Sequence, residues 1–182
     1  LPEDGDTFEA NAIQKAKAQE GQSQQMLPVV TPIALEVASD LIPLVDDATG
    51  SKFLNEMIPM MRDGLFYELG VRYPGLRVRG NEGDLPKGAY IIMVNEIPLV
   101  MGTVDQGKVL VNDTPERLRL LNIPGEPATN PANGNDCAWV QLEHKELAEQ
   151  AGLTTWDAAG YMVLHLSAVL RKNASEFVGI QE

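Results

Sequence analysis

Apolar residues between positions 54 and 69 recur at three- and four-residue steps: Leu54, Met57, Ile58, Met61, Leu65 and Leu69. That period places them on one helical face and predicts an amphipathic helix. Ser51 stands where its hydroxyl can cap the start, and Gly70 where a helix commonly stops. Pro59 lacks an N–H, so it must kink this helix or mark a late start. Pro74 and Gly75 give a turn signal, and the alternation Leu76, Arg77, Val78, Arg79 predicts a short strand. Upstream, residues 33–45 read IALEVASDLIPLV, an apolar strand-like segment broken by Pro43.

Further along, AYIIMVN at 89–95 is a nearly continuous apolar run suited to a central strand. Residues 97–104 make another, with Pro98 near its start, and the Asn95–Glu96 step is short enough for a hairpin. Residues 80–88 read as a loop. Residues 108–112 and 138–142 are short strand candidates, the second carrying Trp139, and 143–151 a short helix closed by Gly152. Two strands and one helix over 108–153 make a marginal unit that must lean on its neighbour. Residues 154–173 form the clearest helix. Thr154 and Asp157 have capping-box spacing, and Ala159, Val163, Leu166 and Leu170 make one apolar face that calls for a partner as large as the sheet of 32–107. Arg171 and Lys172 suit its C-terminus. Residues 1–31 hold few large apolar side chains and read as a linker.

Composition narrows the function. Hydrophobic residues make up 44% of the 182, enough for one good core or two small ones. The net charge of −12 argues against binding nucleic acid or an anionic membrane, because both need clustered Lys and Arg. It serves solubility, or attracts basic partners. The single cysteine, Cys137, excludes an intramolecular disulfide and fits a reducing cytosol. No apolar run approaches the roughly 20 residues of a membrane span. Because the chain starts at Leu1 without a methionine, it is expected to be the soluble part of a longer protein.

No catalytic set stands out. His144 and His165 sit in different expected helices, without metal-ligand spacing to another His, Cys or carboxylate. His144 reads as part of a solvated acidic face, and His165 as a partly buried packing residue. Asp136 beside Cys137 opposes thiolate formation, so Cys137 reads as a small core residue. Met57, Met60 and Met61 fit core packing better than an adaptable surface. No nucleotide or nucleophile motif occurs. The expectation is therefore no catalytic residue, no metal and no cofactor. Two rivals remain: a small cytosolic α/β enzyme, which needs convergent titratable groups, and an RNA-binding module, which needs exposed aromatics on a basic sheet.

The segments LEV at 35–37, LIPLVD at 41–46 and MIPMMRDGLFYELGVRYPGLRVRGN at 57–81 resemble the large inner-membrane export-gate proteins of bacterial type III secretion systems (the SctV or FHIPEP family). The wording of the helix is closer to the virulence (injectisome) branch than to the flagellar one. The resemblance runs from about residue 32 to the end and falls on the first part of that family's cytosolic region. It implies an α/β (α+β) fold of two small subdomains. Residues 32–107 with 154–174 would form subdomain 1 on a mixed sheet, and 108–153 a smaller α/β subdomain 2 inserted into it. Residues 1–31 would be the linker from the membrane region, and 175–182 the start of subdomain 3.

It also implies a non-enzymatic protein-binding role at the cytoplasmic face of the bacterial inner membrane. The family's cytosolic domains form a nonameric ring that receives chaperone–substrate complexes and gatekeeper proteins beside other export-apparatus subunits. Its ring contacts lie mainly in subdomain 3, so this stretch alone is expected to be monomeric. In flagellar relatives a D-P-A-F-G-x-D segment lines the chaperone-binding groove. Here Pro131, Ala132, Gly134 and Asp136 keep that framework. Asn130 replaces the Asp, Asn133 replaces the Phe, and Leu164 takes the place of a groove Thr. The groove is thereby expected to keep its location with altered specificity.

Overall fold

A computed structural model describes residues 33–46, 52–73 and 75–174. The Ser51 cap, the Pro74 half of the turn, the linker and the last eight residues lie outside the described residues. In chain order the elements are β1 (Ile33–Ala38), a 3-10 turn (Ser39–Leu41), α1 (Ile42–Val45), a π-helical turn (Phe53–Met57), α2 (Ile58–Leu69), β2 (Leu76–Asn81), β3 (Ala89–Val94) and β4 (Ile97–Thr103). There follow β5 (Lys108–Val111), α3 (Pro115–Arg119), β6 (Glu126–Thr129), β7 (Asp136–Gln141), a 3-10 turn (Leu142–His144), α4 (Lys145–Gln150), β8 (Thr155–Trp156) and α5 (Ala158–Lys172). The described residues divide into two compact units, one of 33–103 with 169–174, the other of 104–168. The expected α/β class, with a mixed-sheet first unit and a smaller α/β second unit, is what the chain adopts.

The first unit holds a four-stranded sheet in the order β2-β1-β3-β4. β1 and β2 run parallel and the other pairs antiparallel, so the sheet is mixed. Ile33, Leu35 and Val37 of β1 pair with Val94, Ile92 and Tyr90 of β3, and all six are buried. A Cβ on Gly80, in the same row as Val37, would collide with Ile42, so α1 lies over this face. The other face carries polar groups: Asn81 donates to Glu36 at 2.8 Å, and Arg79 pairs with Glu96 at 3.2 Å.

Pro59 acts as a late start rather than a kink. The π turn ends with the Ile58 N–H donating to the Phe53 carbonyl, and α2 then begins with Pro59 in its first turn, where its missing N–H costs little. Gly70 ends α2 in the left-handed conformation, φ 71°, donating to the Phe66 carbonyl at 2.7 Å. Pro43 likewise starts a helix: only 33–38 is strand, and Pro43 stands in the first turn of α1. The tight β3–β4 hairpin puts Asn95 and Glu96 at φ 58° and 64°, as a type I′ turn requires. Met60 is 70% exposed, so the core reading of the methionine cluster fails there.

The second unit is richer than two strands and one helix. Its sheet runs β6-β7-β5-β8, antiparallel throughout. β6, β8 and α3 are absent from the sequence reading. Residues 122–136, dense in Pro, Gly and Asn, include β6 and the first residue of β7. Val109, Val111, Ala138 and Val140 form one face with Leu118, Ile123 and Ala148. Leu110 belongs to the opposite face, in one row with Trp139 and Trp156, and is fully buried. The N-terminal part of α5 lies over that second face, with the Tyr161 ring 4.9 Å from Trp139.

This packing explains why the units divide inside α5, at 168/169, where the sequence expectation divided them at 153/154. The capping also shifts. Thr154 is not the cap: its N–H donates to Asn112 Oδ1 at 2.9 Å beside β8. Asp157 caps α5 instead, its Oδ1 accepting from the Gly160 N–H at 2.8 Å. The buried apolar positions of α5 are Ala158, Met162, Leu166, Val169 and Leu170, and Ala159 and Val163 are half-buried.

A Cβ on Gly102 would overlap the ring of the fully buried Tyr90. Gly102→Ala is therefore expected to destabilise the first unit by about 1–3 kcal/mol through overpacking. Urea denaturation measures it.

Candidate functional site

The residues singled out in the sequence fall in the second unit, on the β6–β7 connection and on α5. Thr129 pairs with Asp136, and residues 130–135 close the hairpin. Asn130 organises that turn. It is only 4% exposed. Its Oδ1 accepts from the Ala132 N–H at 2.7 Å, its N–H donates to the Asn135 carbonyl at 2.9 Å, and its carbonyl accepts from Gly134 at 2.8 Å. Gly134 supplies the positive φ of 79° that an L side chain adopts only with strain. Pro131 and Ala132 are half-buried, and Asp136 is exposed.

Asn133 is exposed at the tip, with its Oδ1 accepting from the Asn135 N–H at 2.9 Å. The two asparagines thus differ in kind. Asn130 is spent inside the turn, and Asn133 presents its amide to solvent. Leu164 is half-buried on α5, one turn beyond Tyr161, and its carbonyl accepts from Ser167 Oγ at 2.9 Å. The ring contact that joins α5 to the hairpin is Tyr161 on Trp139, and no hydrogen bond joins Leu164 to the 130–135 turn among the described residues.

The other titratable candidates sit as packing groups. Cys137 is buried. Burial pushes its thiol pKa up, and Asp136 and Asp113 add to the shift against a hydrogen bond with the Asn130 backbone. The thiol is thus held away from the reactive thiolate. His144 Nε2 lies 3.5 Å from Glu143 Oε2 on the unit's surface. His165 packs edge-on to Tyr161 with ring centroids 6.3 Å apart, and burial lowers its pKa. Among the described residues no group of three or more His, Cys, Asp or Glu could hold a metal ion, and no helix is long and apolar enough to cross a membrane.

Exposed apolar side chains are a signal the sequence reading passed over. Leu120 is 83% and Leu121 39% exposed after α3, and Tyr67 is 86% exposed on α2. The RLRLL run at 117–121, two leucines beyond the short helix, is the mark that would have found the first pair.

A model of the FHIPEP family matches residues 3–182. The chain belongs to the FHIPEP family. Among curated members it is similar to the Low calcium response locus protein D of Yersinia pestis, 33% identical over 159 residues, which cover 87% of this chain and 22% of that protein. Among solved structures it is similar to the CdsV protein of Chlamydia pneumoniae, with TM-score 0.73 and 35% identity over 85% of this chain and 46% of that one. CdsV has also been solved in complex with CdsO. The nonameric EscV cytosolic domain of a type III secretion system shares the fold, with TM-score 0.55 and 18% identity over 87% of this chain and 44% of that one. The chain thus spans about a fifth of the curated relative and under half of CdsV. The family resemblance read from the helix and strand wording is borne out.

Two outcomes follow from the geometry. Asn130→Ala strands the half-buried Ala132 donor and is expected to cost about 1–2 kcal/mol, whereas Asn133→Asp keeps an acceptor for Asn135 and stays within about 0.5 kcal/mol. Chemical denaturation separates the two. The lowered pKa of His165 gives the second. Below the unfolded value of about 6.5 the unfolded chain takes up a proton that the folded chain resists, so this contribution to stability falls as pH falls. His165→Gln should therefore lose less melting temperature between pH 7.5 and 5.5 than the parent.

Proposed function

We propose that this chain is a protein-docking part of the cytosolic domain of a type III secretion export gate. The observation that carries the reading is the family match over residues 3–182, on a two-unit fold similar to CdsV at 35% identity. The parent protein sits at the cytoplasmic face of the inner membrane and assembles a nonameric ring, as the EscV cytosolic domain does. The role is non-enzymatic. It is to receive chaperone–substrate complexes and gatekeeper proteins before export, and the complex of CdsV with CdsO supports protein binding as the work of this domain.

The docking contacts include the 130–135 turn and the Leu164 stretch of α5. The turn supports this because Asn130, with Gly134, holds its shape from within while Asn133 stays exposed. A preformed loop loses little entropy on binding. An amide at the tip, rather than an aromatic anchor, favours partners that hydrogen-bond over partners that insert a ring.

The test is calorimetric titration of the system's own chaperone–substrate complex against the assembled parent ring. Asn133→Asp adds a charge that must be desolvated on docking. It is expected to weaken binding at least about fivefold, roughly 1 kcal/mol, with ring mass unchanged by light scattering. Leu164→Glu should weaken it further at unchanged secondary structure. Wild-type affinity in both variants would remove the docking site from this surface.

A further inference from the structure

The second unit carries another preformed surface, on the face of its sheet opposite to α5. α3 and the segment after it pack there through Leu118 and Ile123, against Val109 and Val111. Beside them opens a cavity of about 430 Å³ lined by Pro115, Arg119, Asn122, Ile123, Pro124 and Gly125. Between two of the lining residues stand Leu120, 83% exposed, and Leu121, 39% exposed.

This segment is rigid by construction. The Ile123 N–H donates to the Leu118 carbonyl at 3.0 Å and the Asn122 N–H to the Arg119 carbonyl at 3.0 Å. Asn122 takes the left-handed conformation, φ 63°. That is a Schellman close, with Asn in the place usually held by Gly, and its accompanying apolar contact is Leu118 with Ile123. Both of those residues are buried in the core. The leucines are therefore held out in water by a fixed backbone rather than by a floppy loop.

Residues 117–125 contain Arg117 and Arg119 and no acid, in a protein of net charge −12. Arg117 pairs with Asp113 at 2.9 Å. Of the nearby carboxylates, Glu126 is held by Lys108 at 3.0 Å, and Glu116 is exposed on the first turn of α3. Arg119 lines the cavity and has no ion-pair partner among the described residues.

We infer that this surface docks an acidic peptide segment of a partner protein, one that places an apolar side chain in the cavity and carboxylates against Arg119. The exposed leucines offer apolar area to a partner, Arg suits an interface anchor, and the Arg sets the sign of the partner's charge. The inference does not depend on the 130–135 turn, which is a separate surface.

The test is a titration of the nitrogen-15-labelled chain, followed by NMR, with two synthetic peptides of identical Leu and Phe content. One carries Asp and Glu between the apolar residues, the other Lys. The net charge of the chain favours the Lys peptide overall, so an acidic preference must be local. The expected result is saturable shifts at residues 115–125 with the acidic peptide, at least fivefold weaker in Arg119→Glu and in Leu120→Asp. Core signals of Val109 and Val140 should stay in place in both variants. No saturable shift up to millimolar acidic peptide, equal shifts there with the Lys peptide, or wild-type affinity in Arg119→Glu would each overturn the inference.

Discussion

Strand β5 is buried on both faces, and the second unit is arranged around that demand. Val109, Leu110 and Val111 are all fully buried, yet successive side chains of a strand point to opposite faces. Each such side chain stabilises by about 1.5–3 kcal/mol only if it is covered. One layer is therefore not enough. Leu118, Ile123 and Ala148 cover Val109 and Val111. The start of α5 covers the face of Leu110, Trp139 and Trp156 through Tyr161. The position of the boundary inside α5 follows from this, as does the shift of its cap to Asp157.

Signals of long period were legible in the sequence. The helix that became α2, the apolar run of β3, the hairpin at Asn95–Glu96 and the stop at Gly70 each rest on local chemistry that tertiary packing did not override. Short elements were not legible. β8 has two residues, β6 four, and α3 five. None can stand alone, so their existence is decided by neighbours: β8 by its pairing to β5, and β6 by its pairing to β7 despite Pro127. The Thr154 and Asp157 spacing fits two helix starts, and only the pairing of β8 chooses between them.

The candidate site was half visible for a similar reason. Its Pro, Gly and Asn content favours a turn, but which asparagine is buried depends on the way the hairpin closes. Asn130 donates and accepts within the turn, while Asn133 makes one side-chain bond, to the Asn135 N–H, and faces outward. A buried polar group whose bonds are satisfied specifies one local shape. The docking chemistry proposed for this chain therefore rests on a rigid loop over a sheet covered on both sides, with no catalytic group taking part.

The turn, β5 and the first turns of α5 are expected to open as one cooperative unit. Residue-resolved amide hydrogen exchange under native conditions tests it directly. Ala132 and Gly134, whose N–H groups bond to Asn130, and Tyr161, bonded to the Asp157 carbonyl, should exchange with the same opening free energy as Val109 and Val140. Turn amides exchanging near the unprotected rate, or Tyr161 opening while β5 stays closed, would contradict it.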